Sequence, residues 1–360
     1  MAIIKEEYKD FSWDLHAKPV HKPLVAQMEL TYRCPLHCKH CYTDCYNRHS
    51  YTKNELSTKE VKFILDKCKN AGVVWLCFTG GDPMLRKDFI ELYLYAVGLG
   101  FIATVFTSLI TMNNGILRTF KKSPPFNIET TLNAATPAKY REITGTSFFR
   151  KHVSNIKKLI KHNIPVRVKT QVTKQNIVQI GRIQRLVESW GLDFRPSTMI
   201  YARLNKDTYP CQLRLDPKDA VRINKKYGYF EEADVRKPKE RIKLKNLTGR
   251  LDHNKVFSCV AGGHIFWISP DGKMSVCETF KKPYYNLLKK SGTVANGFHE
   301  IHRKVHAIKF KTKSRCRNCE YRLICKWCPA RAYLETGSRE KPIEYFCKLT
   351  DETIKGCQSR

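Results

Sequence analysis

The sequence has no long apolar run and comparatively few acidic residues. No stretch of its 360 residues approaches the roughly 18–20 apolar residues that span a bilayer. Residues 1–21 also lack the apolar core of a secretory signal peptide. These absences predict a cytoplasmic protein without a membrane partner. Acidic residues number 33 against 65 lysines and arginines, a formal net charge of +32. This excess favours an anionic partner, either nucleic acid or an acidic polypeptide, or else a lysine-rich surface without a dedicated ligand.

Cysteine, in contrast, is abundant. The chain contains 15 cysteines, and an odd number without a signal peptide argues against a disulfide framework. Many of the cysteines are closely spaced, as metal ligands usually are. In a reducing compartment, such spacing indicates iron–sulfur or zinc sites.

Strand and helix patterns alternate from about residue 24 to residue 200. A helix is predicted to begin at Ser57, where Glu60 completes a capping box. Six strand–helix repeats predict an α/β fold, in which a parallel sheet curves into a partial (β/α)6 TIM-like barrel with ligands at the carboxyl ends of its strands. The predicted strands cover residues 24–30, 73–79, 101–107, 127–132, 166–172 and 192–199.

Beyond the barrel pattern, cysteines dominate and regular periodicity fades from Cys259 onward. The predicted organisation has four parts. They are an N-terminal extension at 1–23, a barrel at 24–215, a helix and basic linker at 216–255, and a small cysteine-rich domain at 256–360.

A first cysteine triplet follows the first predicted strand. Cys34, Cys38 and Cys41 have the spacing C-x3-C-x2-C and are followed by Tyr42. Three thiolates can hold three irons of a [4Fe–4S] cluster and leave the fourth iron open for S-adenosylmethionine. A zinc knuckle is the alternative. Cys45 is not assigned as a ligand, because a fourth thiolate would block the open iron.

The triplet resembles the signature of the radical S-adenosylmethionine (radical SAM) superfamily. The resemblance implies that one electron from the cluster cleaves S-adenosylmethionine to a 5′-deoxyadenosyl radical, which abstracts hydrogen from a substrate carbon. It also implies that the Gly-Gly-Asp-Pro segment after the second strand holds the methionine amino group, with Asp82 in place of the usual Glu. The implied cofactor-binding residues lie at or near the strand ends: Tyr42, Thr79, Gly80, Gly81, Asp82, Thr107, Ser108, Asn133, Lys169 and Gln171.

The later cysteines resemble a SPASM domain, the cysteine-rich extension of many radical SAM enzymes that modify peptides. By this resemblance, one or two auxiliary [4Fe–4S] clusters are expected. Residues 271–272 fit a tight hairpin turn in such a domain. The outer cluster would be bound by Cys316, Cys319, Cys325 and Cys347, and the inner cluster by Cys259, Cys277 and Cys328.

Three features of this second resemblance leave alternatives open. Only two residues separate Cys325 from Cys328, where three are more usual. The inner cluster either keeps an open iron or is completed by His264. For the four-cysteine run, structural zinc is the alternative.

Two further residues are candidates for catalysis. Glu278 follows Cys277 directly, and in related sulfatase-maturing enzymes an acidic residue there acts as a base. Cys211 follows the sixth strand in a loop and could donate hydrogen to a substrate radical, as epimerases require. A surface carboxylate and an ordinary thiol are the alternatives.

Together, these resemblances imply a radical SAM/SPASM enzyme that matures a ribosomally made peptide, forming a thioether, a carbon–carbon link, a desaturation or an epimer. An acidic precursor peptide suits the +32 charge. Only about 23 residues precede the first strand, too few for a fused leader-binding domain, so a separate leader-binding protein is a candidate partner. A flavodoxin or ferredoxin is the expected electron donor.

Three other functions compete with peptide maturation. One is side-chain oxidation of a protein, as in anaerobic sulfatase maturation. Another is RNA modification, which the charge would suit but for which no RNA-binding module is visible. The third is a non-enzymatic zinc protein.

Overall fold

The computed structural model describes residues 21–227, 252–258, 263–322 and 324–358. Three features of the sequence analysis therefore lie outside the described residues. They are Cys259, most of the N-terminal extension, and the predicted basic linker from residue 228 to residue 251.

The described part of the chain folds around a nine-stranded sheet with the order β6-β5-β4-β3-β2-β1-β7-β8-β9. Neighbouring strands from β6 to β7 are parallel, whereas β8 and β9 pair antiparallel. The six predicted strands are confirmed, each to within two residues at either end. The strands are β1 (Val25–Thr31), β2 (Trp75–Gly80), β3 (Ile102–Phe106), β4 (Asn127–Thr131), β5 (Val166–Gln171), β6 (Phe194–Ser197), β7 (Ile265–Ile268), β8 (Lys273–Ser275) and β9 (Tyr285–Asn286).

Helices connect the parallel strands and cover the sheet. The first begins at the predicted capping box, in which the Ser57 and Glu60 side chains each accept from the other's backbone N–H, and it buries Ile64 and Leu65 against the sheet. The barrel helices are Thr58–Asn70, Phe89–Gly98, Asn114–Lys122, Pro137–Thr144, Phe149–Lys161 and Ile180–Glu188, with single turns at His49–Thr52 and Tyr209–Gln212 and 3-10 segments at Asp44–Tyr46, Pro83–Leu85 and Ile177–Gln179.

The cysteine-rich region is built onto the same sheet. Strand β7 pairs in parallel with β1, and Val25 lies opposite Ile265. The predicted hairpin at residues 271–272 is confirmed, because β7 and β8 are antiparallel and Gly272 adopts a φ of 78°. The predicted boundary near residue 256 is thus followed by a strand that extends the barrel sheet.

Three helices in this region correct the expectation that periodicity fades there: Val294–His306, Pro329–Thr336 and Glu344–Gln358. The first buries Val294, Phe298, Ile301 and Val305, a helical spacing of four, three and four residues. This periodic pattern lies between Cys277 and Cys316, outside the cysteine motifs.

The helix Pro217–Lys226, predicted at the start of a linker, packs against the C-terminal helix. Val221 and Phe346 belong to one buried cluster, and the Lys225 ammonium donates to the Gly356 carbonyl at 2.6 Å. This helix is therefore part of the folded body. None of the helices in the described ranges has both the length and the apolar character needed to cross a membrane.

Candidate active site

A cavity of about 300 Å³ opens where the carboxyl ends of β1 to β6 meet. In a parallel sheet these ends share one edge, so residues far apart in sequence converge there. Apart from Asp82, the implied cofactor-binding residues line the cavity together with the first cysteine triplet. The lining is Cys34, Leu36, Cys38, His40, Cys41, Tyr42, Thr79, Gly80, Gly81, Phe106, Thr107, Ser108, Glu129, Thr131, Asn133, Lys169, Gln171, Met199, Ile200 and Tyr201.

Hydrogen bonds hold the cysteine loop in its shape. The Asn47 side chain accepts from the backbone N–H of Cys34 at 3.2 Å and donates to its carbonyl at 2.9 Å. Within the loop, the Cys41 N–H donates to the Cys38 carbonyl at 2.9 Å. The Lys39 N–H donates to Ile143 at the end of a barrel helix, at 3.0 Å. The three thiols are thus presented on a loop fastened at several points.

The electrostatics of these thiols suit a metal centre. Burial raises the pKa of Cys34, Cys38 and Cys41, and the neighbouring thiols Cys41 and Cys34 raise that of Cys38 further. A buried thiolate therefore needs a compensating positive charge, and bound metal ions supply it. Three such thiols in one cavity wall fit a cluster ligated by three cysteines.

The paired glycines at the end of β2 let that strand pass very close to the start of the cysteine loop. The Gly81 N–H donates to Thr31 at 2.7 Å. A Cβ on Gly80 would lie 2.2 Å from the Thr31 carbonyl oxygen, and one on Gly81 would lie 2.3 Å from that of Arg33. Any side chain there would push the cysteine loop away.

Asp82 lies beneath the cavity and is completely buried. Its carboxylate accepts from the Thr107 hydroxyl at 2.9 Å, from the Met84 N–H at 3.1 Å, and from both the N–H, at 3.1 Å, and the hydroxyl of Ser108. Burial raises the pKa of Asp82 while these hydrogen bonds oppose the shift. The structure thus places this carboxylate among protein donors rather than in the cavity wall.

Asn133 and Gln171 tie the ends of three strands together. The Asn133 side chain accepts from the Gln171 N–H at 2.8 Å, and the Gln171 amide donates to Ser197 at 2.7 Å and to Met199 at 3.0 Å. These contacts use much of the polar capacity of both side chains, and they shape the wall formed by β4, β5 and β6.

Several lining residues were missed by the sequence analysis. His40 lies inside the triplet, and burial lowers the pKa of its imidazole to about 4. Glu129 is a nearly buried carboxylate on β4, paired with Arg167 at 3.1 Å and with Lys169. Tyr201 follows β6. The sequence signals that could have identified them are the position of His40 between Cys38 and Cys41, and the positions of Glu129 on a predicted strand and of Tyr201 just after one.

A second cavity, of about 370 Å³, lies in the C-terminal region. All four cysteines implied for the outer cluster line it: Cys316, Cys319, Cys325 and Cys347. The Arg315 guanidinium donates to the Cys347 sulfur at 3.4 Å. Burial, followed by the neighbouring Cys347, raises the pKa of Cys316 to about 11. Among the described side chains, no group of three His, Cys, Asp or Glu is arranged to hold a single metal ion.

Two of the three cysteines implied for an inner cluster are described. Burial raises the pKa of Cys277 to about 12, with contributions from Glu278 and Cys328. Cys328 immediately precedes the helix Pro329–Thr336. His264 directly precedes β7, and its carbonyl accepts from Leu24 and Val25. Cys259 lies outside the described residues.

The two candidate catalytic residues lie close to residues that line the cavity. Glu278 is 3.9 Å from Arg331, near the wall residues Tyr42 and Tyr201. The Cys211 thiol donates to Glu335 at 3.6 Å, and burial raises its pKa to about 12. Neither side chain is among the cavity-lining residues.

Comparisons with known proteins agree with this architecture. The model of the radical SAM superfamily matches residues 28–182. An AdoMet-dependent heme synthase of Methanosarcina barkeri is 24% identical over 334 residues, covering 88% of this chain and 93% of that protein. The corresponding enzyme of Oleidesulfovibrio alaskensis is 25% identical over 340 residues, covering 88% and 85%.

Solved structures show a similar fold. Streptococcus suis SuiB bound to its precursor peptide SuiA matches with a TM-score of 0.68 at 19% identity, covering 89% of this chain and 75% of SuiB. The enzyme anSMEcpe bound to AdoMet and the Cp18Cys peptide matches with a TM-score of 0.67 at 14% identity, covering 94% and 97%.

The family match, the curated relatives and the cysteine-lined cavity at the strand ends all lead to the same assignment. The chain is an enzyme whose cofactors are S-adenosylmethionine and a [4Fe–4S] cluster, and its cysteine-rich C-terminal region is consistent with auxiliary clusters. Its residues 28–182 match the model of the radical SAM superfamily.

Proposed function

We propose that this enzyme matures a ribosomally made peptide by abstracting hydrogen from a residue of the peptide, to form a thioether, a carbon–carbon link or another backbone or side-chain modification. The observation that carries the proposal is the presence of two separate cysteine-lined cavities in the described part of the chain. One contains the first triplet, and the other contains the four cysteines of the C-terminal region. The similarity to SuiB with its precursor peptide and to anSMEcpe with a peptide supports a polypeptide substrate.

Within this proposal, the residues have separate tasks. When bound, a [4Fe–4S] cluster would supply the electron needed to cleave S-adenosylmethionine to a 5′-deoxyadenosyl radical. Cys34, Cys38 and Cys41 would hold that cluster. Thr79, Thr107, Ser108 and the other lining residues would orient the sulfonium and exclude water. Cys316, Cys319, Cys325 and Cys347 would hold an auxiliary cluster in the second cavity.

Glu278 is the proposed base for a proton lost by the substrate. It lies near the cavity-lining Tyr42, and the Arg331 guanidinium is 3.9 Å from its carboxylate. Cys211 is less suited to hydrogen donation, because its thiol donates to Glu335, it packs against a small apolar cluster, and it does not line the cavity. The placement therefore favours crosslinking or oxidation over epimerisation.

A second candidate function is a step of heme synthesis. It is favoured by the curated relatives, which are named heme synthases and are similar over 88% of this chain. The two candidates differ in the substrate that loses hydrogen, a polypeptide or a tetrapyrrole.

One experiment separates the candidates. The anaerobically reconstituted enzyme is incubated with S-adenosylmethionine, a reduced flavodoxin and either a peptide encoded beside its gene or a tetrapyrrole precursor of heme. Loss of hydrogen from the peptide, detected by mass spectrometry together with 5′-deoxyadenosine, supports maturation. Heme formation with an unchanged peptide would overturn it in favour of the second candidate.

A further inference from the structure

The loop after β6 and the helix Pro329–Thr336 meet along a seam that begins at the active-site cavity. Two contacts cross it. The Arg331 guanidinium lies 4.2 Å from the ring centre of Tyr201, and the Lys206 ammonium donates to the Tyr333 hydroxyl at 3.1 Å. Tyr201 also lines the cavity. The seam therefore adjoins the place where chemistry would occur.

Aromatic rings lie beside all three cations of this seam. Arg339 lies 5.1 Å from the ring centre of Phe280 and 5.4 Å from that of Tyr333, and Lys206 lies 4.2 Å from that of Tyr333. Within the described ranges, neither Lys206 nor Arg339 forms an ion pair, and the buried Nε atoms of Arg331 and Arg339 have no hydrogen-bond partner. These cations retain unused capacity to bind an anion.

In the nearby Arg214, by contrast, all three nitrogen atoms of the guanidinium donate hydrogen bonds. Arg214 makes two hydrogen bonds to Glu335, at 2.8 Å and 2.6 Å, and its Nε donates to the Ile200 carbonyl at 2.9 Å. Among the described residues, the one acidic partner of Arg331 is Glu278 at 3.9 Å, beyond normal hydrogen-bond distance. The contrast between the two guanidinium groups argues that the seam cations are not merely structural.

The electrostatics point the same way. The Lys206 hydrogen bond, aided by the positive charges of Lys206, Arg339 and Lys282, lowers the pKa of Tyr333. Lys206 also adopts a φ of 73°, a left-handed conformation that is costly for a residue with a side chain. It is held there by a tight turn in which its N–H donates to Arg203 at 2.8 Å. Strain of this kind is often found at functional sites.

We propose that Lys206, Arg331 and Arg339 form a docking strip for an acidic segment of the polypeptide substrate, an inference that rests on the proposed function. Carboxylates of such a segment fit Lys206 and Arg339, which have no acidic partner within the described residues, and Arg331, whose contact with Glu278 is long. Arginine can bind a carboxylate through two parallel hydrogen bonds. A segment bound along the seam places the residues next to it beside Tyr201, which lines the cavity. The strip thereby selects substrates by charge and delivers them to the active site.

The test uses the reconstituted enzyme and a fluorescein-labelled hexaglutamate peptide as the probe. The double variant Lys206→Glu, Arg339→Glu reverses two seam charges and leaves Arg331, which neighbours Cys328, in place. The matched control is Lys157→Glu, Lys158→Glu, which changes the net charge equally at two exposed positions on the helix Phe149–Lys161. Fluorescence anisotropy at fixed ionic strength gives the dissociation constants.

Hexaglutamate is expected to bind the seam variant about tenfold more weakly than the wild type, and the control variant with nearly unchanged affinity. Substrate-free cleavage of S-adenosylmethionine should be the same in all three proteins. Equal weakening in both variants, or no binding to the wild type, would overturn the strip while leaving the radical chemistry intact. Seam-dependent binding of single-stranded RNA without binding of hexaglutamate would overturn the assignment to a polypeptide. If the wild-type enzyme itself fails to cleave S-adenosylmethionine, the result would instead count against the proposed function.

Discussion

The Thr107 hydroxyl donates a hydrogen bond of 2.9 Å to the buried carboxylate of Asp82, joining the ends of β2 and β3. Ser108 donates to the same carboxylate through its N–H and its hydroxyl. Both donors line the cavity, whereas Asp82 lies beneath it. We infer that Asp82 is a positioning residue, whose effect on cofactor binding passes through Thr107 and Ser108.

Replacing Asp82 should therefore weaken both cofactor binding and the fold. In Asp82→Ala, three residues would lose their buried acceptor, and each unsatisfied group costs about 1–3 kcal/mol. We expect a lower midpoint of urea unfolding together with at least tenfold weaker binding of S-adenosylmethionine, measured by calorimetry. Asp66→Ala, which removes an acceptor from Tyr95 on the outer helices, is the control. Weaker binding with unchanged stability would indicate direct contact between Asp82 and the cofactor.

The close passage of Gly81 beneath the cysteine loop leads to a second prediction. In Gly81→Ala, the new Cβ would meet the Arg33 carbonyl oxygen at 2.3 Å, so the loop must move. We expect reduced iron content after reconstitution and loss of 5′-deoxyadenosine formation. Gly98→Ala is the matched control, since a Cβ there meets nothing within 4 Å. It should be neutral or slightly stabilising, because alanine favours a helix. Full iron content in Gly81→Ala would show that the loop tolerates the displacement.

Asp82 and the seam show which features of the structure can be predicted from the sequence and which cannot. The strands were predictable because the periodicity of apolar residues indicates them. The residues at their ends were predictable because the carboxyl ends of parallel strands meet at one side of the sheet. The direction of a side chain below a strand end was not, since it depends on donors from another strand, such as Thr107. The contacts of Arg331 with Tyr201 were equally hidden, because 130 residues separate the partners in the chain and neither position belongs to a motif.

The first cysteine triplet should be required for both iron and radical chemistry. Replacing Cys34, Cys38 and Cys41 by alanine should remove about four irons per chain and abolish 5′-deoxyadenosine. Iron and sulfide analysis with chromatography of the products measures both. The control is Cys68→Ala, at a position that is fully buried in a helix of the core. It should leave the iron content and the yield of 5′-deoxyadenosine unchanged. Persistent cleavage in the triple variant would contradict the assignment of these ligands.

The buried His152 should make the fold sensitive to mild acid. Burial lowers the pKa of its imidazole to about 4, and its Nε2 lies 2.8 Å from the Thr130 hydroxyl. The unfolded chain takes up this proton near pH 6.5, whereas the folded chain resists it, so stability falls as the pH drops from about 6.5 towards 4. Between pH 7.5 and pH 5.5 the loss attributable to His152 should be about 1.4 kcal/mol. Urea unfolding of His152→Gln should lack this component, and an equal loss in the variant would assign it to other groups.

The outer C-terminal cysteines should separate formation of the radical from its use. In Cys316→Ala, Cys319→Ala, we expect about four fewer irons and continued cleavage of S-adenosylmethionine without substrate, because the first triplet lies in a different cavity. Product formation should fail, since a substrate radical must still lose an electron or bind a metal.

The competing explanation is that these thiolates only stabilise a small region of the fold, because metal binding can supply folding energy outright. The sheet argues against it. Strand β7 is anchored to β1, and the helix Val294–His306 buries its own apolar face, so much of this region has a core without the cysteines. Circular dichroism and urea unfolding of the double variant therefore accompany the product assays. A folded variant that still forms the product of the proposed reaction would leave the outer cluster a structural role. A folded variant that cleaves the cofactor without forming product would place that cluster in the substrate step.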